Sequence, residues 1–137
     1  MSEDGDDRYL AYRSVMMPHD TNPHGTVFGG AILSQIDLGG SVGAHHEIRC
    51  SGSQDRPLML VGMNKIEFHE PVFVGDVVTL YTRLVRIGRT SITMRIDVEA
   101  QRAGKTIHVT QAEATYVAVE VVDGQRRPVA IRGDLAV

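Results

Sequence analysis

Cysteine is almost missing from this chain: Cys50 stands alone, so no disulfide can form within it. At 137 residues it does not need one, since a single domain of that size buries roughly two-thirds of the surface its unfolded chain exposes. No apolar run approaches the roughly 18 to 20 residues of a membrane span. The start, MSEDGDDR, lacks the basic and apolar regions of an export signal, which leads to the expectation of a cytoplasmic protein with a disordered acidic segment over residues 1 to 7. Positive charge is not in excess either: 14 Lys and Arg face 17 Asp and Glu, a net charge of −3, which gives no basis for general nucleic-acid binding. Six histidines show neither HExxH nor Cys-His ligand spacing, so no metal site is expected.

What the chain does have is a glycine-rich segment carrying one carboxylate, TNPHGTVFGGAILSQIDLGG. Its spacing predicts a helix over about residues 29 to 46, with Thr26 as a candidate N-cap and His45 and His46 at the negative end of the helix dipole. Ile32, Leu33, Ile36, Gly40 and Gly43 share one face, and Asp37 falls at its edge. A carboxylate there has either a partner, such as Ser34 or Ser41 one turn away, or a job. Gly39, Gly40 and Gly43 each disfavour a helix by roughly 1 kcal/mol against alanine, so a sheet or a ligand must approach that backbone closely. Upstream, Asp20, Asn22 and His24 occupy a loop broken by Pro18, Pro23 and Gly25.

Around the helix the pattern changes to strands. Residues 8 to 17 read as one, 58 to 68 as a second, 76 to 87 as a third and 90 to 101 as a fourth. The fourth alternates most cleanly, with Ile92, Met94, Ile96, Val98 and Ala100 on one face and Thr93, Arg95, Asp97 and Glu99 on the other. A hairpin at residues 102 to 105 leads into a long fifth strand ending near Val122, and residues 125 to 137 read as a polar tail. One helix between a first strand and a four-strand antiparallel meander makes an α+β domain over residues 8 to 124, its sheet wrapped around the helix. The open sheet edges lead to the expectation of pairing with a second copy.

The segment MMPHDTNPHGTVFGGAILSQIDLGG, with EFHEPVFVGDVV and VRIGRTSITMRIDVEAQ, resembles the hotdog-fold acyl-CoA thioesterases of the YciA and brain acyl-CoA hydrolase type. The resemblance runs from about residue 13 to 122. It implies a five-stranded antiparallel sheet around one central helix and hydrolysis of acyl-CoA to free acid and coenzyme A. It further implies no cofactor beyond the coenzyme A of the substrate, and a homodimer, often a trimer of dimers. It also implies that an Asn in the loop and an Asp on the helix, here Asn22 and Asp37, act together across the dimer interface.

Thioester hydrolysis needs an activated water or a carboxylate nucleophile, and donors aimed at the developing oxyanion. Backbone N–H groups near Gly29 and Gly30 at the helix start suit the second task, although the glycines could equally serve a tight turn. Asp37 lies about 10 Å further along the axis at 1.5 Å per residue, so donor and base for one carbonyl should come from different subunits. Asn22 can donate and accept, or simply initiate an Asn-Pro turn. For the coenzyme A end the candidates are Arg89, Thr90 and Ser91, with Arg126, Arg127 and Arg132 as alternative phosphate partners. Two other functions fit the same outline. A dehydratase or isomerase on acyl thioesters would need His24 or His69 beside Asp37, and a non-catalytic acyl-CoA sensor would bind without turnover.

Overall fold

A computed structural model describes residues 7–131. Most of the acidic start and Arg132 lie outside them. The elements are β1 (Tyr9–Val15), a 3-10 turn (Pro18–Asp20), α1 (Gly29–Cys50), β2 (Leu58–Phe68), β3 (Val77–Ile87), β4 (Ser91–Arg102), β5 (Lys105–Val122) and β6 (Gln125–Pro128). The antiparallel sheet runs β1-β3-β4-β5-β2, with β6 paired to β5, and α1 packs against it. No helix among the described residues is long and apolar enough to cross a membrane.

Three expectations need correction. The strands after the helix are not a four-strand meander: only β3, β4 and β5 follow one another, and β2 pairs with β5 at the far edge. Residues 69 to 76 carry the chain across from β2 to β3, and Met16 N–H bonds the Asp76 carbonyl while Gly75 N–H bonds that of Met16, fastening the segment beside the end of β1. Second, α1 continues to Cys50, since Ile48 extends the buried stripe of Ile32, Ile36 and Ala44, and the chain turns off only near Gly52 at φ +79°. Third, the polar tail begins with a strand that the sequence reading did not include. β6 pairs with β5 through the Asp123-Gly124 turn, Val129 N–H bonds the Ala118 carbonyl, and Ile131 is buried.

The core lies between α1 and the inward faces of the sheet, where Ile92, Met94, Ile96, Val98 and Ala100 of β4 meet Ala112, Ala114, Tyr116 and Ala118 of β5. The helix glycines are explained by that contact. A side chain at Gly39 would meet Leu80, one at Gly40 would overlap the Tyr116 hydroxyl, and one at Gly43 would overlap Thr82. Gly43→Ala gains about 1 kcal/mol of helix propensity but drives a methyl into a buried strand residue, where overpacking typically costs about 1–3 kcal/mol. The expected outcome is a melting temperature several degrees lower. A melting temperature at or above the parent's would show that the helix stands further from the sheet than this packing has it.

Candidate active site

Helix α1 begins without a side-chain cap. Its N-cap is Phe28 rather than Thr26, with extended backbone at φ −77° and ψ 153° and no side-chain acceptor to offer. Phe28 N–H bonds the Asp20 carbonyl, and Ala31 N–H bonds the Phe28 carbonyl. The amides of Gly29 and Gly30 find no acceptor among the described residues, and both glycines are exposed. They therefore form a pair of free donors at the positive end of a 22-residue helix. Aromatic rings stand beside them: the Phe68 ring lies 3.6 Å from where a side chain of Gly29 would begin, and the Phe28 ring 3.2 Å from that of Gly30. All three phenylalanines of the chain, Phe28, Phe68 and Phe73, are exposed.

The loop before the helix is held from two sides. Val27 N–H bonds the Val72 carbonyl, and Thr26 bridges Phe73. Segment 71–76 is fixed in turn by Arg102, whose guanidinium makes bonds of 2.6 to 3.2 Å to the Asp76 carboxylate, donates to the Pro71 carbonyl and lies over the Phe73 ring. Asp76 is only 3% exposed. The Arg102 hydrogen bonds, joined by the Phe73 N–H, outweigh burial and hold its carboxyl below the usual aspartate range.

Asn22 organises this loop. Its Oδ1 accepts from His24 N–H at 2.8 Å and Thr26 N–H at 3.3 Å, and its Nδ2 donates to Thr26 Oγ1 at 3.0 Å. Both acceptor positions are thus used, while one of the two N–H donors is left over. Of the two roles its chemistry offered, only donation remains available.

Asp37 is half-buried on α1. Neither Ser34 nor Ser41 bonds its carboxylate. The hydroxyl of Tyr116 on β5 donates 2.7 Å to the Asp37 backbone carbonyl. Burial, and then the neighbouring Asp37 carboxylate, push the phenol pKa well above its ordinary value, so it stays protonated at neutral pH. No histidine bonds Asp37. His24 is exposed in the loop, and His69 stands by Glu67 and His108. His45 bonds Asp55 and His46 stacks on Tyr9, so neither merely caps the helix end.

Arg89, Thr90 and Ser91 form the β3–β4 turn, where Gly88 N–H bonds the Ser91 carbonyl. Thr90 and Arg89 accept through their carbonyls from Ala118 and Ile131, which brings the segment carrying Arg126 and Arg127 to this turn. The Arg89 side chain is exposed. A groove of about 190 Å³ lies on the sheet face turned away from α1, between Lys65, Glu67, Arg95, Gln111 and Glu113. These side chains bond one another, and no residue of the helix lines it. Among the described residues no cluster of His, Cys, Asp and Glu has metal-binding geometry.

Tyr116 and Phe28 escape the sequence reading for different reasons. Tyr116 sits in an alternating strand and reads as core. Phe28 hides behind Thr26, the more usual capping residue.

A model of the thioesterase superfamily matches residues 24–107. The sequence is 39% identical over 129 residues to the acyl-CoA thioester hydrolase YciA of Salmonella typhimurium, covering 90% of this chain and 92% of that one. Among solved structures, the hexameric hotdog fold thioesterase Cj0915 of Campylobacter jejuni superposes with a TM-score of 0.76 at 40% identity, over 88% of this chain and 90% of that chain. The hexameric thioesterase y2039 of Yersinia pestis gives a TM-score of 0.74 at 35% identity, over 89% and 95%.

Proposed function

This chain belongs to the thioesterase superfamily, has the hotdog fold and hydrolyses acyl-CoA thioesters, and from that premise we propose that its active site is assembled between two protomers. The observation that carries this reading is the helix itself. Free donors at Gly29 and Gly30 and the carboxylate of Asp37 lie on one uninterrupted α1, eight and seven residues apart, or about 10 to 12 Å along the axis. That is too far for both to act on one carbonyl from the same subunit. A partner helix running past the first brings one protomer's donors to the other's carboxylate.

In this arrangement the thioester carbonyl oxygen rests on the Gly29 and Gly30 amides, which stabilise negative charge as it develops. The remaining N–H of Asn22 points to the same task, since its carbonyl is occupied by the loop. Asp37 of the partner takes a proton from the attacking water, or attacks the thioester carbon itself to give a mixed anhydride that water then cleaves. Coenzyme A leaves as the thiol. Arg89, Thr90 and Ser91, with Arg126 and Arg127 nearby in the fold, are the proposed contacts for its pantetheine and phosphates. No further cofactor is required by this chemistry.

The surface for the partner is the outer edge of β2 together with the open flank of α1. Met59, Val61 and Phe68 on β2 and Leu38 and Val42 on α1 are all exposed apolar side chains. An edge strand so apolar is ordinarily covered. Three such dimers would make the hexamer seen in the Campylobacter and Yersinia thioesterases.

Mixed oligomers test the shared site. Asn22→Asp and Asp37→Asn protomers, each inactive alone, are dissociated, mixed in equal amounts and reassembled. A mixed dimer then holds one site with both parts intact and one with neither, so thiol release from acyl-CoA should recover to about a quarter of the parental rate. A mixture no more active than its parents would place both residues in one subunit's site and defeat the proposal.

A further inference from the structure

Tyr116 bonds the catalytic residue's own peptide group, and among the described residues it is the only sheet side chain that hydrogen-bonds the helix. The rest of the contact between α1 and the sheet, through Ile32, Ile36, Gly39, Gly40, Gly43, Ala44 and Ile48 and the stacking of His46 on Tyr9, contains no other side-chain hydrogen bond among the described residues. Such contact resists separation and limits large rotations, but it has no preferred direction of its own, whereas a hydrogen bond does. We infer that Tyr116 is a positioning residue for Asp37, fixing the rotation of α1 so that the carboxylate meets the thioester bound by the neighbouring protomer. This rests on the reading of Asp37 given above.

Three observations support it. The Asp37 carbonyl lies in mid-helix, where the ladder already supplies it with one N–H, so the phenol uses its second lone pair rather than rescuing an orphan group. Space for the hydroxyl exists only because residue 40 is glycine, since a side chain there would overlap the phenol oxygen. Tyr116 is 1% exposed and central in the sheet, paired with Ile92 on β4 and Leu60 on β2, so its own position is firmly set. The lever is long: a side chain extends about 5–6 Å from the helix axis, so a rotation of about 10° moves the carboxylate by about 1 Å. A misplacement of that size can slow a positioned reaction about a hundredfold.

The test uses the intact oligomer and three variants: Tyr116→Phe, the double variant Tyr116→Phe with Gly40→Ala, and Asp37→Asn as the reference for lost chemistry. The phenylalanine removes one oxygen and leaves the ring. Expected for Tyr116→Phe are a fall in kcat of about 10- to 100-fold and a KM for acyl-CoA within about threefold of the parent. Alanine at position 40 refills the vacated space, so the double variant should regain melting temperature without regaining kcat. Parental kcat in Tyr116→Phe while Asp37→Asn is inactive would overturn the positioning role alone. Recovery of kcat together with melting temperature in the double variant would reduce Tyr116 to packing and also overturn it. Parental turnover by Asp37→Asn would instead remove the reading on which it rests.

Discussion

Asp37→Asn should lower kcat for acyl-CoA hydrolysis by about 10² to 10⁴, the range associated with losing a positioned proton acceptor. Thiol release at saturating acyl-CoA measures it. The substitution keeps size and shape, and the helix does not depend on the charge: Ser34 and Ser41 make no bond to the carboxylate, and the packing of α1 runs through Ile32, Ile36 and the glycines. Folding and oligomerisation should therefore survive, with stability changed by less than about 1 kcal/mol. The Tyr116 bond survives too, because it is made to the backbone of residue 37. A variant that is folded, assembled and slow ties the loss to the carboxylate. A folded variant with parental turnover would leave the site without its base or nucleophile and end the assignment.

Asn22→Asp should reduce kcat by about 10² to 10³, equivalent to about 3 to 4 kcal/mol, the loss seen when one oxyanion donor is removed. Aspartate separates the two duties of this side chain. It can still accept from His24 N–H and Thr26 N–H, and Thr26 Oγ1 can turn to donate where it now accepts from the amide. The loop is thus retained while the spare donor is lost and a negative charge is added where another is to develop. Melting temperature should stay close to the parent's as kcat falls. Asn22→Ala is less informative, since it unfastens the loop as well. Turnover within about threefold of the parent in Asn22→Asp would return Asn22 to a turn residue and leave oxyanion stabilisation to the helix amides.

The elements themselves were readable because their signals are local. Alternation along Ile92 to Ala100 and the long apolar stripe of α1 appear in any window that spans them, and β2 was legible to the residue at both ends. The glycine cost in α1 also pointed to a close neighbour, which proved to be β3, β4 and β5 through Leu80, Thr82, Ile96 and Tyr116. Partner choice was not readable. Nothing within residues 58 to 68 says that they join the end of the sheet beside β5 rather than β3, because a turn signal records where the chain bends and not what it meets next. The helix end was drawn early because two histidines suit a C-terminus, while Ile48 and Gly52 were the better markers. At the proposed site, Asp37 stood out as a lone carboxylate in an apolar stretch, whereas Asn22 was singled out by the family resemblance and Gly29 and Gly30 read equally well as a tight turn. Tyr116 did not, since its importance lies in the end of its side chain, and that became visible only once a strand was set against the middle of the helix.

The glycine-tight seam between α1 and its sheet also limits where a fatty tail can go. With Thr82 and the Tyr116 hydroxyl pressed against the helix backbone, the seam has no room for even a methyl group at Gly40 or Gly43, and none for a hydrocarbon chain between them. In the proposed shared site an acyl group would lie along the exposed flank of α1 that carries Leu38 and Val42, and the neighbouring protomer would supply its far wall. Selectivity for chain length would then be a property of how two surfaces meet, and substitutions far from the scissile bond would retune it without touching the chemistry.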